Sequence, residues 1–158
     1  MPQYELKLGT SRLVLNSNLF TIKNIRKLDK ELDLATGEFL DNVNNKMKLL
    51  NELGKGYQEI LTKKDEESEE EYTERIKPLQ EEINTKTEEI VGQDGMDSVL
   101  PLSYAAVKIL AALDNQEGKV TPENFDSCVR DDLDTFIMDV CTKGKLKFKS
   151  IYKEFIKE

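Results

Sequence analysis

The side chains that could do chemistry in this chain are carboxylates and two thiols, because its 158 residues include no histidine. Without imidazole there is no histidine-based catalytic triad, no imidazole general base and no ordinary zinc site. The thiols, Cys128 and Cys141, are thirteen residues apart and do not form the C-x-x-C pair used for metal or redox chemistry. Both stand among apolar neighbours on predicted helices, which favours a role as small core residues.

Two clusters of carboxylates are the remaining candidates for a catalytic site. The first, Asp65 to Glu71, lacks the apolar surroundings that raise the pKa of a carboxyl group, so a solvated helix face accounts for it. The second, Asp131 to Asp134, stands at a predicted helix junction, where acidic residues stabilise the positive end of the helix dipole. Neither cluster predicts catalysis, and an enzyme is the least favoured function for this chain.

Two glycine-containing loops also fall short of a binding site. The loop from Asp114 to Gly118 approaches a calcium-binding loop, but its glycine is fifth rather than sixth, and Phe125 stands where the bidentate glutamate should be. Gly54-Lys55-Gly56 lacks the frame of a phosphate-binding loop. We therefore expect no metal, no cofactor and no catalytic residue.

Composition and charge restrict the partners. The chain has 34% charged residues, a net charge of −8 and a pI of about 4.8. Binding to nucleic-acid phosphates requires clustered basic residues, so this acidic chain is a poor candidate for a DNA- or RNA-binding protein. The N-terminal residues do not form a secretion signal, and no apolar run approaches the roughly 20 residues of a membrane span, which favours a cytoplasmic protein without a membrane partner.

The elements that position these residues begin with a β-hairpin. Tyr4 to Leu8 alternates apolar and polar residues, Arg12 to Leu15 is a second short strand, and Gly9-Thr10-Ser11 between them is a turn. Two strands alone are marginal in water, so the hairpin must pack on a helix or pair with strands of another chain. Two helices follow within residues 1–56, and we expect Gly37 to separate them.

Residues 57–95 predict an acidic helical arm, inserted before a C-terminal helical part, 96–158, that folds with 1–56 as one unit. Six carboxylates between Asp65 and Glu71 repel one another, which predicts a frayed or disordered joint. Pro78 then marks a kink or a helix start. Around it, apolar residues at heptad spacing form a seam that either packs within the same chain or grips another helix. The seam residues are Tyr72, Ile76, Leu79, Ile83 and Ile90.

Residues 96–158 carry the clearest helical pattern. A helix from Leu102 to Leu113 contains small residues that allow close packing, and Thr121-Pro122-Glu123 is a strong helix start. Further helices end at Gly144 and cover the amphipathic stripe from Phe148 to Ile156. Lysines concentrated from Lys143 to Lys157 either stabilise helix ends or form a surface for an acidic partner. The predicted fold class is mostly α: an N-terminal β-hairpin, a helical bundle and a protruding acidic helical arm.

The order of these elements resembles that of a known family. The hairpin leads directly into Phe20 to Asp29, a small-residue helix spans Tyr104 to Leu113, and the Thr-Pro-Glu helix start precedes an acidic helix from Asp132 to Val140. Over residues 4–36 and 99–141 the chain resembles the tail assembly chaperones of long-tailed phages and prophages of Gram-positive bacteria, in architecture and composition rather than in specific motifs. The acidic arm would be an insertion relative to that family.

The resemblance implies a non-catalytic protein in the cytoplasm of the bacterial host. Its implied client is the tape measure protein, a very long helix whose apolar stripes would aggregate if exposed, and tail-tube subunits would later displace the chaperone. An apolar groove would cover the stripes while acidic surface keeps the complex soluble. Core packing is the alternative role for each residue predicted to bind protein: Ile22, Ile25, Phe39, Val43, Ile76, Ile83, Ile109, Phe136 and Tyr152.

Two further functions remain open. A structural or adaptor protein would form a homo-oligomer through the seam at 72–90, and its assembly should be lost when Ile83 becomes polar. A small regulator would bind nucleic acid through the C-terminal lysines and predicts salt-sensitive DNA binding, which the acidity of the whole chain disfavours.

Overall fold

The structure is a computed structural model that describes residues 3–92, 94, 95 and 98–156. Within these residues the chain forms two strands and six α-helices, which confirms the predicted, mostly α fold with an N-terminal β-hairpin followed by a helical bundle. The predicted boundary at residue 96 and the last lysine of the C-terminal group, Lys157, lie outside the described residues. The elements are β1 (Gln3–Leu8), β2 (Ser11–Asn16), α1 (Ile22–Tyr57), α2 (Glu69–Val91), α3 (Leu100–Ala112), α4 (Pro122–Asp126), α5 (Arg130–Gly144) and α6 (Phe148–Ile156).

The hairpin of β1 and β2 turns through two residues, Gly9 and Thr10, one fewer than the sequence predicted. Gly9 has a φ of 64°, which suits the first central residue of a type II′ turn. A side chain there would also meet Ser127, whose Cβ lies 3.5 Å from the position that a Cβ on Gly9 would take. Successive side chains of a strand point to opposite faces of the hairpin, so four leucines of the two strands face the core: Leu6, Leu8, Leu13 and Leu15.

The first helix is longer than predicted. It runs unbroken from Ile22 to Tyr57, so the prediction that Gly37 separates two helices is wrong. Nothing lies within 4 Å of the position that a Cβ on Gly37 would take, so no contact interrupts the helix there. Glycine inside a helix costs about 1 kcal/mol relative to alanine. The apolar stripe offsets this cost because it continues across the glycine at helical spacing, from Leu32 through Phe39.

The second helix begins inside the acidic segment. Ser68 caps it, since its Oγ accepts a hydrogen bond from the backbone N–H of Glu71 at 3.1 Å and donates to the carboxylate of Glu71 at 3.1 Å. Three glutamates occupy the first turn, where the positive end of the helix dipole favours them and offsets their repulsion. The non-helical joint is therefore confined to residues 58–68. Pro78 lies inside α2, so the alternative that a helix begins there is wrong.

Local signals locate several helix boundaries of the C-terminal part, although the prediction that Cys128 stands on a helix is wrong, since it lies half-buried in the bend between α4 and α5. The Oγ1 of Thr121 accepts a hydrogen bond from the N–H of Asn124 at 3.1 Å, and Pro122 is the first residue of α4, which confirms the predicted helix start. α5 ends at Gly144, as predicted. α6 covers the predicted amphipathic stripe.

Contacts divide the chain into two units. The first, which we call the body, comprises Met1–Phe39 and Val99–Glu158, and the second, the coil unit, comprises Leu40–Ser98. The sequence of the coil unit holds sixteen acidic and eight basic residues, whereas that of the body holds fifteen of each. The whole net charge of −8 therefore belongs to the coil unit.

All the buried side chains of the described residues belong to the body. The hairpin, the first half of α1 and the helices after residue 98 contribute to one apolar cluster. The coil unit has no such core in its described residues. The larger members of the cluster are Leu6, Leu8, Leu13, Leu15, Leu28, Leu32, Leu102, Leu110, Leu133, Phe136, Ile137, Phe148 and Tyr152.

Candidate protein-binding surfaces

In the coil unit, α2 lies antiparallel to the second half of α1. The ammonium of Lys46, early in this half, donates a hydrogen bond to the backbone oxygen of Val91, the last residue of α2, at 3.0 Å. At the other end, the ammonium of Lys86 donates to the hydroxyl of Tyr57 at 2.8 Å, and the hydroxyl of Tyr72 donates to the backbone oxygen of Leu61 at 2.7 Å. The two helices thus form a two-stranded antiparallel coil.

The seam of this coil is half-buried along its whole length. The predicted apolar seam of α2 is met by a second series at heptad spacing on α1. The α2 seam therefore packs on a helix of the same chain. The sequence had left this open, since the seam could also have gripped a helix of another chain. None of the seam residues reaches full burial. The α1 series is Val43, Lys46, Leu50, Leu53 and Tyr57.

Apolar residues continue beyond the seam on α1. Leu40 and Met47, one heptad apart beside the seam, are 43% and 51% exposed, and Leu49 on the other side is 48% exposed. Two-stranded coils commonly carry glutamate and lysine at such flanking positions. A wider apolar stripe is typical of a helix that contacts more than one neighbour. The α1 helix thus has more apolar surface than α2 covers.

One flank of the coil also has little charge. On α1 this flank consists of Leu40, Met47 and the positions beside them. In the heptad register of the coil, it lies next to one side of α2. On α1 none of these positions is acidic or basic, although 34% of the chain is charged, and between Thr73 and Thr87 of α2 Lys77 is the one charged residue on this side. We call this flank the uncharged edge: Leu40, Asn44, Met47, Asn51 and Gly54 on α1, with Thr73, Gln80, Asn84 and Thr87 on α2.

The joint between the two coil helices is held by one guanidinium. Arg75 pairs with Glu67 through two hydrogen bonds, Nε to Oε2 at 2.7 Å and Nη2 to Oε1 at 3.0 Å. Its Nη2 also donates to the backbone oxygen of Thr62 at 3.0 Å, and its Nη1 donates to that of Ile60. The hydrogen bonds from Arg75 lower the pKa of the Glu67 carboxyl. Arg75 therefore fastens residues 60–67 onto α2.

We expect Arg75→Ala to loosen this joint without unfolding either unit. Backbone amides of residues 58–68 should exchange with solvent faster, and Lys77→Ala, an exposed position on the same helix, should leave them unchanged. A carboxyl whose pKa is lowered by folding stabilises the fold above its ordinary value of 4.5 and loses that contribution as the pH falls below it. Once the slower intrinsic exchange in acid is corrected for, the protection of these amides in the wild type should therefore fall below pH 4.5 towards that of Arg75→Ala, and protection that does not change with pH would contradict the assignment.

The predicted binding residues of the body have different environments. Phe136 is 3% exposed and Tyr152 is fully buried, so these two are core residues. Phe39 is half-buried and packs edge-on against Phe155, with ring centroids 5.4 Å apart. Ile22, in contrast, is 70% exposed. The remaining two pack against the core from its margin: Ile25 and Ile109.

The predicted binding residues of the coil unit lie together. Val43, Ile76 and Ile83 all belong to the seam between α1 and α2 and are half-buried. The sequence predicted no binding role for the exposed apolar residues beside that seam, or for those elsewhere on the surface. Their signal was present in the heptad register, since apolar residues stand where a two-stranded coil carries charge. The exposed residues that it missed are Leu34, Leu40, Met47, Leu49, Ile60 and Val129.

A buried polar network lies within the helices of the body. The hydroxyl of Tyr152 donates to the carboxylate of Asp134 at 2.6 Å and lies 2.8 Å from the hydroxyl of Ser103. Because the proton of Tyr152 goes to Asp134, the single proton of the Ser103 hydroxyl is shared between Tyr152 and the backbone oxygen of Val99, which lies 3.3 Å away. Burial, together with the hydrogen bond to Asp134, raises the pKa of Tyr152. The network keeps a neutral phenol in the core and joins α3, α5 and α6.

Both thiols are free and poorly suited to nucleophilic chemistry. Burial raises the pKa of Cys141 to about 12. Burial also raises the pKa of Cys128, and the carboxylates of Asp132 and Asp134 add to the effect. Because the thiolate is the reactive form, neither cysteine is activated at neutral pH.

The raised pKa of Cys141 predicts a loss of stability in alkali. Its folded-state pKa of about 12 exceeds its ordinary value of 9.0, so its contribution is complete below pH 9.0 and is lost as the pH rises towards 12. In that window the free energy of unfolding should fall by about 1.4 kcal/mol per pH unit more in the wild type than in Cys141→Ala. Urea denaturation at several pH values measures the difference, and parallel curves for the two proteins would contradict it.

The described residues contain no group of three or more acidic or cysteine side chains arranged to hold a metal ion. Among the helices that the structure describes, none is both long and apolar enough to cross a membrane. Comparison of the chain with protein-family models, with curated proteins and with solved structures found no match.

Proposed function

We propose that this chain is a non-catalytic chaperone of phage or prophage tail assembly that covers an apolar helical stripe of the tape measure protein. The observation that supports it is the uncharged edge of the coil unit, where Leu40 and Met47 remain 43% and 51% exposed beside a half-buried seam. A client helix laid along this edge would turn the two-stranded coil into a three-helix bundle. The client is taken from the family resemblance, and the edge supplies a surface of the right kind.

The energetics favour a helix as occupant. Leu40 and Met47 are 43% and 51% exposed, so covering each contributes roughly half of the 1.5–3 kcal/mol for burying a fully exposed side chain, about 1 kcal/mol, and the half-buried seam beneath them would also lose water. A helix presents apolar residues every three or four positions, which matches the heptad spacing of Leu40 and Met47. The acidic rest of the coil unit would keep the complex soluble, because its net charge of −8 repels other copies.

Co-expression with segments of the tape measure protein tests this function. The wild type should keep an otherwise insoluble segment in solution. Leu40→Gln with Met47→Gln should return that segment to the pellet, because the apolar contacts are lost without a change in charge. Asn45→Gln with Lys48→Gln, on exposed positions of the same helix away from the edge, should hold the segment as the wild type does. If no segment is held in solution by the wild type, the chaperone function is excluded.

The sequence placed the oligomerisation of a structural or adaptor protein in the seam at 72–90. Because that seam packs on α1 of the same chain, an oligomer would have to use the uncharged edge instead. A second copy could cover the uncharged edge in place of a client, and the chain would then be a homo-oligomer. Sedimentation of the wild type and of Leu40→Gln with Met47→Gln separates the two proposals. An oligomer that dissociates in the variant supports the adaptor, and a monomer in both proteins leaves the edge free for a client.

A further inference from the structure

The outer edge of β1, in the body, is open. A two-residue turn makes Leu8 and Ser11 a hydrogen-bonded pair, and such pairs then alternate along an antiparallel ladder. The backbone N–H and C=O groups of Glu5 and Lys7 therefore point away from β2. In the described part of the chain these groups form no hydrogen bond. Such a row of unsatisfied groups is a template for another strand.

The outer edge of β2, by contrast, is covered. The side-chain amide of Gln116 donates to the backbone oxygen of Val14 at 2.9 Å, and the ammonium of Lys119 approaches that of Arg12 at 3.5 Å. These two oxygens belong to the residues opposite Glu5 and Lys7, which confirms that the alternate set of backbone groups points outward. The outward carbonyls of Val14 and Arg12 on β2 thus have side-chain partners, whereas in the described residues neither the outward carbonyls nor the outward N–H groups of Glu5 and Lys7 on β1 have one.

A groove of about 470 Å³ runs beside the free edge. Tyr4, Glu5 and Lys7 line its strand side, and the other wall is a strip of α5. That strip bears three exposed carboxylates: Asp131, Asp132 and Asp139. The groove therefore combines backbone hydrogen-bonding groups on one side with negative charge on the other.

We propose that this groove binds an extended basic segment of a partner protein, which adds a third strand to the hairpin along β1. Backbone hydrogen bonds to Glu5 and Lys7 would hold the segment in register. Every second side chain of an added strand faces the same side of the sheet, so lysine or arginine at alternate positions would meet the carboxylates of α5.

A second copy of the chain is a poorer occupant of the same edge. Two-fold pairing of β1 with β1 would bring the acidic strip of one α5 towards that of the other. Like charges brought together in this way oppose association. The site also lies wholly in the body, whereas the proposed client surface lies in the coil unit, so either proposal can fail without the other.

The test is a titration of the full chain with a capped eight-residue peptide of alternating lysine and valine. Binding is monitored by two-dimensional NMR of the protein's backbone amides. Saturable shifts are expected at the amides of Glu5 and Lys7 and along residues 131–139. A peptide of alternating glutamate and valine should not bind. Methylation of alternate backbone nitrogens of the lysine peptide, on the edge that pairs with β1, should weaken binding at least tenfold, about 1.4 kcal/mol.

Two proline variants provide a matched pair, because Glu5 and Val14 are opposite each other in the ladder. Each proline removes an outward N–H that no bond between β1 and β2 uses, which edge strands tolerate. Glu5→Pro should weaken peptide binding at least tenfold. Val14→Pro, on the covered edge, should stay within about threefold of the wild type. Shifts of the remaining hairpin amides show whether each variant is folded, and the methylated peptide tests the edge even if Glu5→Pro is not.

Several outcomes would overturn the proposal. Absence of shifts on β1, equal binding of the glutamate peptide, or equal binding of the methylated peptide would each exclude strand addition by a basic segment. Shifts confined to the acidic residues of the coil unit would indicate charge attraction alone. Shifts on β1 that depend on protein concentration without peptide, together with a dimer in sedimentation, would assign the edge to a second copy instead.

Discussion

Replacing Ile83 with aspartate is expected to unfold the coil unit and leave the body folded. Ile83 lies near the middle of the α2 seam, and the described part of this unit has no fully buried residue to compensate for its loss. A carboxylate placed there must either lose water or separate the helices, and a charge without a partner in a seam costs several kcal/mol. Most of the stability of a helix in a protein comes from packing of its apolar face rather than from its intrinsic propensity, so loss of the seam should melt both helices of the coil.

Residue-resolved hydrogen exchange measures this outcome. Amides of α2 and of the second half of α1 should lose protection, while those of β1, α3 and α5 keep theirs. Thr85→Asp, on an exposed position of the same helix, is the control and should leave both units protected. Equal loss of protection in the body would show that the two units unfold together. Sedimentation of the same variant also bears on the adaptor function, since a seam-dependent oligomer should dissociate.

Truncation of Tyr152 to alanine is expected to destabilise the body more than any change on the surface. Its ring is fully buried in the apolar cluster, and its hydroxyl bonds to Asp134 and Ser103. Loss of a buried aromatic ring costs about 3–5 kcal/mol, a large part of the roughly 5–15 kcal/mol that stabilises a typical domain. Asp134 would keep its ion pair with Arg130 and Ser103 its hydrogen bond to the backbone oxygen of Val99, so the expected cost comes mainly from the lost ring.

Tyr152→Phe separates the ring from the hydroxyl. It keeps the packing and removes only the hydrogen bonds, so it should cost about 1–2 kcal/mol. Urea denaturation followed at the body's amides measures both values. A cost below about 1 kcal/mol for the alanine variant would contradict the core position of the ring.

Local chemistry made much of the fold predictable. The alternation of Tyr4 to Leu8 indicated the hairpin, and Thr121-Pro122 and Gly144 located helix ends, because each of these signals acts within a few residues. The length of α1 was missed for the opposite reason. Gly37 is a local signal for the end of a helix. Only the apolar residues before and after it, which fall on the same helical face, indicate that one helix continues.

The candidate surfaces were harder to predict than the elements. Periodicity identifies which residues of a helix share a face, but it does not tell which face another element covers. Phe136 and Ile22 both belong to apolar stripes, yet one is 3% and the other 70% exposed. The open edge of β1 depends on contacts more than a hundred positions apart, since Gln116 covers β2 while nothing described covers β1. No local pattern carries that information.

Because the net charge is confined to the coil unit, this unit should determine how fast charged partners first meet the protein. At low ionic strength, where charges act over about 30 Å, a partner still nanometres away experiences the summed field of the molecule, and the fifteen acidic and fifteen basic residues of the body largely cancel in that sum. Diffusing cations and basic proteins are therefore guided first towards the coil unit, whichever surface finally holds them. At physiological ionic strength the field decays within about 8 Å. Added salt should consequently slow the encounter far more than it shortens the lifetime of an apolar complex once formed.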